Sequence, residues 1–175
     1  GNPPGSDKEI GQYTLFEVEY INYAWGYTHE GFFIDSLGDV YTYQYYREGN
    51  HIPRDTWQPA NFDTLAPQEL AEKYSHNPAL FTTINKSVLT EKFSLVEAAA
   101  KGKMSERKMV CADIGSWYYV AYKFDKVRNH YYKVNLYQSG DLNWRNLSPE
   151  AKVLTEWLKS INQKYSQPGC DFEVK

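Results

Sequence analysis

The tightest constraint on this chain is an alternation of residue type with a period of two. In Phe16-Glu17-Val18-Glu19-Tyr20, apolar side chains alternate with carboxylates. The period returns as Tyr41, Tyr43 and Tyr45 against Val40, Thr42 and Gln44, and again as Tyr118, Val120, Tyr122 and Phe124. Successive side chains of a strand point to opposite faces, so these runs specify strands rather than helices. On this reading Glu17 and Glu19 lie on a wet face of a sheet. Beyond Tyr20 the apolar positions move to Ile21, Tyr23 and Trp25, which requires either a bulge near Tyr20 or burial of both faces.

The order of elements follows from turn and helix signals. The strand over Tyr13 to Ala24 leads into two β-rich runs around Asp35 to Asp39, where Gly38 is available for positive φ, so a hairpin is predicted. Trp117 to Phe124 and Tyr131 to Gln138, joined across Asp125 to Asn129, form a second hairpin. Arg47 to Thr64 is a long loop with Trp57 and Phe62 as anchors. Pro67 opens a short helix with Leu70, Ala71 and Tyr74 inward, and a second helix runs from about Ser87 to Lys101 on Leu89, Phe93, Val96 and Ala100, with Gly102 ending it. Leu80 to Asn85 fits either a strand or a helix entry, and Lys108 to Cys111 a short strand. Ser148-Pro149-Glu150 starts a last helix whose buried stripe is Leu154, Trp157, Leu158 and Ile161. These elements predict an α+β fold: a mainly antiparallel sheet built from two hairpin groups, with helices packed on one face. Residues 1–12 read as a flexible tether and 13–175 as a single domain.

Composition narrows the function classes. Nineteen basic and twenty-two acidic residues leave a net charge of −3, which supplies no drive toward nucleic acid. No apolar run is long enough to cross a bilayer as a helix. The small, polar opening Gly-Asn-Pro-Pro-Gly-Ser-Asp-Lys suits a tether left after a leader is removed, which points to export, to the periplasm or the cell surface. Cys111 and Cys170 lack zinc-site spacing; in an oxidising compartment they can join in a disulfide, the alternative being two free thiols with Cys111 buried in a strand. The polar tether with a lone late cysteine resembles bacterial envelope lipoproteins in general character, not in motif.

No catalytic pattern stands out. His29, His51, His76 and His130 show no paired-ligand spacing, so no metal and no cofactor is expected. No nucleophile elbow or glycine-rich phosphate loop is present. Glu30, Asp35, Asp113 and Asp141 are candidate carboxylates for a small hydrolase, as is Cys111 with His130 as a thiol–imidazole pair, provided the fold brings them into a cleft. Asp113-Ile114-Gly115-Ser116 reads as an Asx turn entering a strand.

The rings remain. Sixteen Tyr, eight Phe and five Trp accompany only two Met, so packing must use rings that carry polar edges. Tyr41, Tyr43, Tyr45, Trp57, Trp117, Tyr119 and Tyr131 are the candidate binding residues, with Tyr137 beside them on the second hairpin; helices covering the same rings are the structural alternative. The leading expectation is an exported, non-enzymatic domain that presents an aromatic-rich surface, or the Arg47 to Thr64 loop, to a protein or a carbohydrate. The rivals are the small hydrolase and an inhibitor-like module that uses the long loop as a probe.

Overall fold

The computed structural model describes residues 10–24, 26–45 and 57–166. Their strands are β1 (Thr14–Asn22), β2 (Thr28–Asp35), β3 (Asp39–Tyr45), β4 (Thr64–Leu65), β5 (Ala79–Thr83), β6 (Lys108–Met109), β7 (Ser116–Asp125), β8 (His130–Gly140) and β9 (Leu142–Arg145). The helices are α1 (Pro67–Tyr74), α2 (Lys86–Phe93), α3 (Val96–Ala100) and α4 (Pro149–Ile161). The described strands form one antiparallel sheet in the order β5-β3-β2-β1-β7-β8-β9-β6, with β4 pairing to β8 off this path. The α+β class and both hairpins are therefore present, and β1 joins them at the centre of the sheet.

Alternation along β1 sorts the molecule into two faces. Phe16 and Val18 share one with Phe32, Ile34, Val40, Ala121 and Val134, and that face is covered by Leu89 of α2, Val96 and Ala99 of α3, and Ala151, Leu154 and Leu158 of α4. The opposite face carries Phe33, Tyr43, Tyr45, Val120, Tyr122 and Tyr131, covered by Leu70 and Tyr74 of α1 and by Trp57 and Leu65. Helices thus lie on both faces, not one, because the face expected to be wet has a helix of its own. The apolar shift after Tyr20 marks this double burial: β1 pairs without irregularity from Phe16 to Asn22, and Ile21 packs on the α1 side.

Local chemistry explains the element ends. The Asp35 carboxylate accepts from the N–H groups of Leu37 and Asp39 at 3.0 and 2.9 Å, and Gly38 takes φ +86°, which closes the β2–β3 turn. Ser148 caps α4 by accepting from Ala151 N at 3.1 Å. The expected Ser87–Lys101 helix divides at Ser94–Leu95: the Ser94 hydroxyl donates to Glu91 O, and Leu95 N bonds Lys92 O in a tightened turn. The ambiguous segment before it is the strand β5. Ile10 and Gln12, read from sequence as tether, belong to the body: Ile10 packs on the α4 face, and the Gln12 amide donates to Thr14 O and Tyr122 O.

A register shift in the second hairpin redistributes its rings. Tyr119 pairs with Tyr137 but Val120 pairs with Asn135, so Leu136 is an extra residue on β8. Trp117, Tyr119 and Tyr137 consequently pack on the α4 side, whereas Tyr131 lies on the α1 side. The four rings do not make the single row that uninterrupted alternation predicts.

One glycine is decisive for the α1 side. Gly31 sits between Glu19 of β1 and Tyr43 of β3, and a Cβ there would come within 2.2 Å of Val18 O and 2.8 Å of the Tyr43 hydroxyl. The missing side chain lets the Tyr43 hydroxyl reach Glu17. Gly31→Ala is expected to destabilise the protein by about 1–3 kcal/mol, read as a lower urea midpoint at unchanged slope; an unaltered midpoint would show that the close approach is unimportant.

Candidate functional site

Glu17 and Glu19 are two residues apart on one strand, so both carboxylates project from the same face. α1 delivers the countercharge. Its spacing places Leu70, Lys73 and Tyr74 against the sheet, so that Lys73, rather than the expected Ala71, is buried. Lys73 is 0% exposed, Glu17 1%, Glu19 5% and His29 1%. The Lys73 ammonium lies 2.7 Å from Glu17 Oε2 and pairs also with Glu19 Oε2. Both contacts join oppositely charged groups that are buried together. The same ammonium sits 4.4 Å from the centre of the Trp57 ring.

Hydroxyl donors surround the Glu17 carboxylate, and an imidazole meets that of Glu19. Tyr122 and Tyr74 donate to Glu17 Oε1 at 2.5 and 3.0 Å, and Tyr43 donates to Oε2. On Glu19, His29 Nε2 stands 2.6 Å from Oε2, while His29 Nδ1 is 2.6 Å from the Tyr27 hydroxyl. An ionised carboxylate accepts only, so Nε2 carries a proton toward Glu19, while the Tyr27 hydroxyl, which can donate or accept, holds Nδ1.

Charge states follow from this environment. Burial alone would raise the Glu19 carboxyl, but the Lys73 ammonium and the His29 contact outweigh it and hold it well below the ordinary range. Burial likewise disfavours the Lys73 cation, and Glu17 and Glu19 reverse this, leaving it above its usual value. Tyr43, Tyr74 and Tyr122 are pushed well above the usual phenol value, first by burial and then by the Glu17 charge. Lys133 is lowered by burial and by repulsion from Lys73. The arrangement can hold charge, and its groups are engaged with one another.

The expected ring surface is mostly interior. Tyr43, Tyr45, Trp57, Tyr119 and Tyr131 are buried, and only Tyr41 and Trp117 are half-buried. Tyr45 stacks on His29 at 4.6 Å between centroids and on His76 at 3.9 Å. Trp57 Nε1 donates to Glu69 O at 2.7 Å, Tyr119 donates to Tyr165 O at 2.6 Å, and the Tyr131 hydroxyl accepts from the N–H groups of Tyr13 and Thr14. Tyr41 stacks on Phe33, and Trp117 lies against Tyr20. Phe62 is exposed rather than an anchor, and residues 47–56 of the long loop lie outside the described residues. A chain with two Met and sixteen Tyr fills its core with tyrosine, and the hydroxyls of Tyr43, Tyr74, Tyr119, Tyr122 and Tyr131 have hydrogen-bond partners there.

The candidate hydrolase residues disperse. Glu30 pairs with Lys164 at 3.1 Å, and Asp35 closes a turn. Asp113 and Asp141 border a cavity of about 380 Å³ beside Tyr23 and Tyr118, but both Asp141 oxygens accept backbone N–H groups, from Ile114 and Gly115. Cys111 is disulfide-bonded; Cys170 lies outside the described residues. Among the described residues, no group of three or more His, Cys, Asp or Glu is placed to hold a metal ion, and no helix is long and apolar enough to cross a membrane.

The residues that do converge, Glu17, Glu19, His29 and Lys73, were not singled out from the sequence. The available signal was a lysine at the inner helical spacing of α1 opposite a Glu-x-Glu strand. Comparison of the chain with protein-family models, with curated proteins and with solved structures finds no match.

Two outcomes follow from the cluster. Lys73→Met leaves two buried carboxylates without a cation and is expected to cost about 3–5 kcal/mol of stability; adding Glu17→Gln and Glu19→Gln to it should restore part of the loss in chemical denaturation, and a triple variant no better than the single one would contradict the ion-pair account. The second outcome concerns pH. Glu19 is lowered on folding, so its contribution is present above the ordinary carboxylate range and is lost as pH falls through it. The raised tyrosines and Lys73 contribute below their unfolded values and lose that contribution as pH rises past about 10, with Lys133 alone opposing them. Urea midpoints measured against pH should therefore fall on both the acid and the alkaline side, and Glu19→Gln should flatten the acid side.

Proposed function

We infer that this chain is a non-enzymatic binding domain that works in an oxidising, exported setting and meets a protein or glycan with its rim. The observation that carries the reading is the closure of the ionisable centre. A catalytic acid or base must come within hydrogen-bond reach of a substrate proton; Lys73, Glu17, Glu19 and His29 are buried and reach one another. The hydrolase alternative has less support, since Cys111 is bonded through its sulfur and Asp141 is held by backbone donors.

Contact groups are available at the edge of the sheet. β5 is its terminal strand, with Leu80 59% and Phe81 50% exposed. No charged side chain occurs from Asn77 to Asn85, and an uncharged open edge suits pairing with an incoming strand. The disulfide at Cys111 supports the compartment, because reducing cytosol keeps such thiols free.

Chemical reactivity separates the two readings. Diethyl pyrocarbonate modification, followed peptide by peptide by mass spectrometry, is expected to be far slower at His29 than at the partly exposed His130 until the protein is unfolded. Equal rates in the native protein would put His29 within reach of small molecules and favour the hydrolase.

A further inference from the structure

We propose that the cleft between α4 and the β8–β9 hairpin binds an anionic saccharide unit, that is, a pyranose-sized ring bearing one carboxylate or sulfate. The proposal deepens the binding-domain reading and rests on it. The cleft has a volume of about 440 Å³, bordered by Leu136, Tyr137, Arg145, Pro149, Lys152 and Lys159 among others. That is within the size range of small-ligand pockets.

Its charge contrasts with that of the whole chain. The protein carries −3 overall, yet three cations line this cleft against a single acid, Glu156. Lys159 lies 3.9 Å from Glu156 and 4.7 Å from the centre of the Tyr137 ring, so it is already engaged. Arg145 and Lys152 are exposed, and among the described residues neither has a carboxylate within ion-pairing distance. Lys103 stands beside the cleft as another exposed cation, its carbonyl accepting from Leu147 N at 2.8 Å. A planar guanidinium next to an ammonium suits a single oxyanion held by two or more charge-assisted hydrogen bonds.

The other lining groups select what carries the oxyanion. Leu136, which is buried, and the exposed Leu147 and Pro149 contribute apolar lining. The Ser148 oxygen accepts the helix-cap bond and keeps its own proton to donate. Glu156 offers carboxylate oxygens that accept hydroxyl protons but repel further anions. A run of carboxylates, as in an acidic peptide, meets that repulsion; a polyhydroxylated ring with one charge does not. A phosphate polymer is disfavoured on the same ground and by the net charge of the chain.

Calorimetric titration of the full chain with a disaccharide carrying one uronate, a monosulfated disaccharide, maltotriose and hexaglutamate tests the assignment. One or both anionic sugars should bind, more weakly as salt is raised, and which of them binds identifies the oxyanion. Maltotriose should not bind. Arg145→Gln with Lys152→Gln, both at exposed positions, should weaken binding about tenfold or more with an unchanged circular dichroism spectrum. Three results overturn the proposal: sugar binding that survives the double substitution, hexaglutamate binding more tightly than either sugar, or no binding by any probe. The first leaves the binding-domain reading standing without this cleft, and the His29 reactivity measurement tests that reading separately.

Discussion

The α1 side of the molecule is organised around one buried ammonium shared between two carboxylates. An ion removed from water costs several kcal/mol even after relaxation, and three ions are removed together here. The cost is offset only because Lys73 contacts both Glu17 and Glu19 while tyrosine hydroxyls and His29 take the place of water around the carboxylates. This requirement reaches into distant parts of the chain. It fixes the rotation of α1 about its axis, demands tyrosine rather than phenylalanine at positions 43, 74 and 122, and excludes a side chain at Gly31.

Why rings dominate this core then has a physical answer. A tyrosine buries a large apolar ring and still delivers an O–H donor at its far end. A sheet face that carries carboxylates at its centre needs both properties. Phe33 stacks on Tyr74 at 3.8 Å between centroids, and Tyr74 in turn donates to Glu17, so packing and charge satisfaction use the same side chains. The α4 side, with Phe16, Val18 and Leu154 and no buried carboxylate, is an ordinary apolar layer.

Periodicity made the strands, both hairpins and α4 legible, because each depends on near-neighbour rules: alternation, a turn glycine, a capping serine. The site was not legible for the opposite reason. Whether Glu17 and Glu19 face water or a helix depends on where residue 73 comes to rest, more than fifty positions along the chain, and alternation reports only that two glutamates share a face. The ring row failed similarly. Tyr131 and Tyr137 have the same parity, but the extra residue Leu136 places them on opposite sides of the sheet. Burial of the tyrosines was readable from composition, as the consequence of a chain poor in methionine.

The charge cluster also constrains register in a way that an apolar face does not. If β1 slipped by one residue against its neighbours, Glu17 and Glu19 would turn toward the leucines of α4, and Phe16 and Val18 would turn toward Lys73. Both exchanges strand charge: the carboxylates would lose their cation, and the ammonium would lose its anions. An all-apolar strand in the same position would lose little, since either face would accept it. The conflict between the two faces therefore sets a large penalty on the nearest misfolded pairing, and this is the consistent reason for keeping ions in the interior of this fold. With the centre locked in one arrangement, the rim can carry exposed apolar and cationic side chains, as on β5 and beside α4, without those groups competing for places in the core.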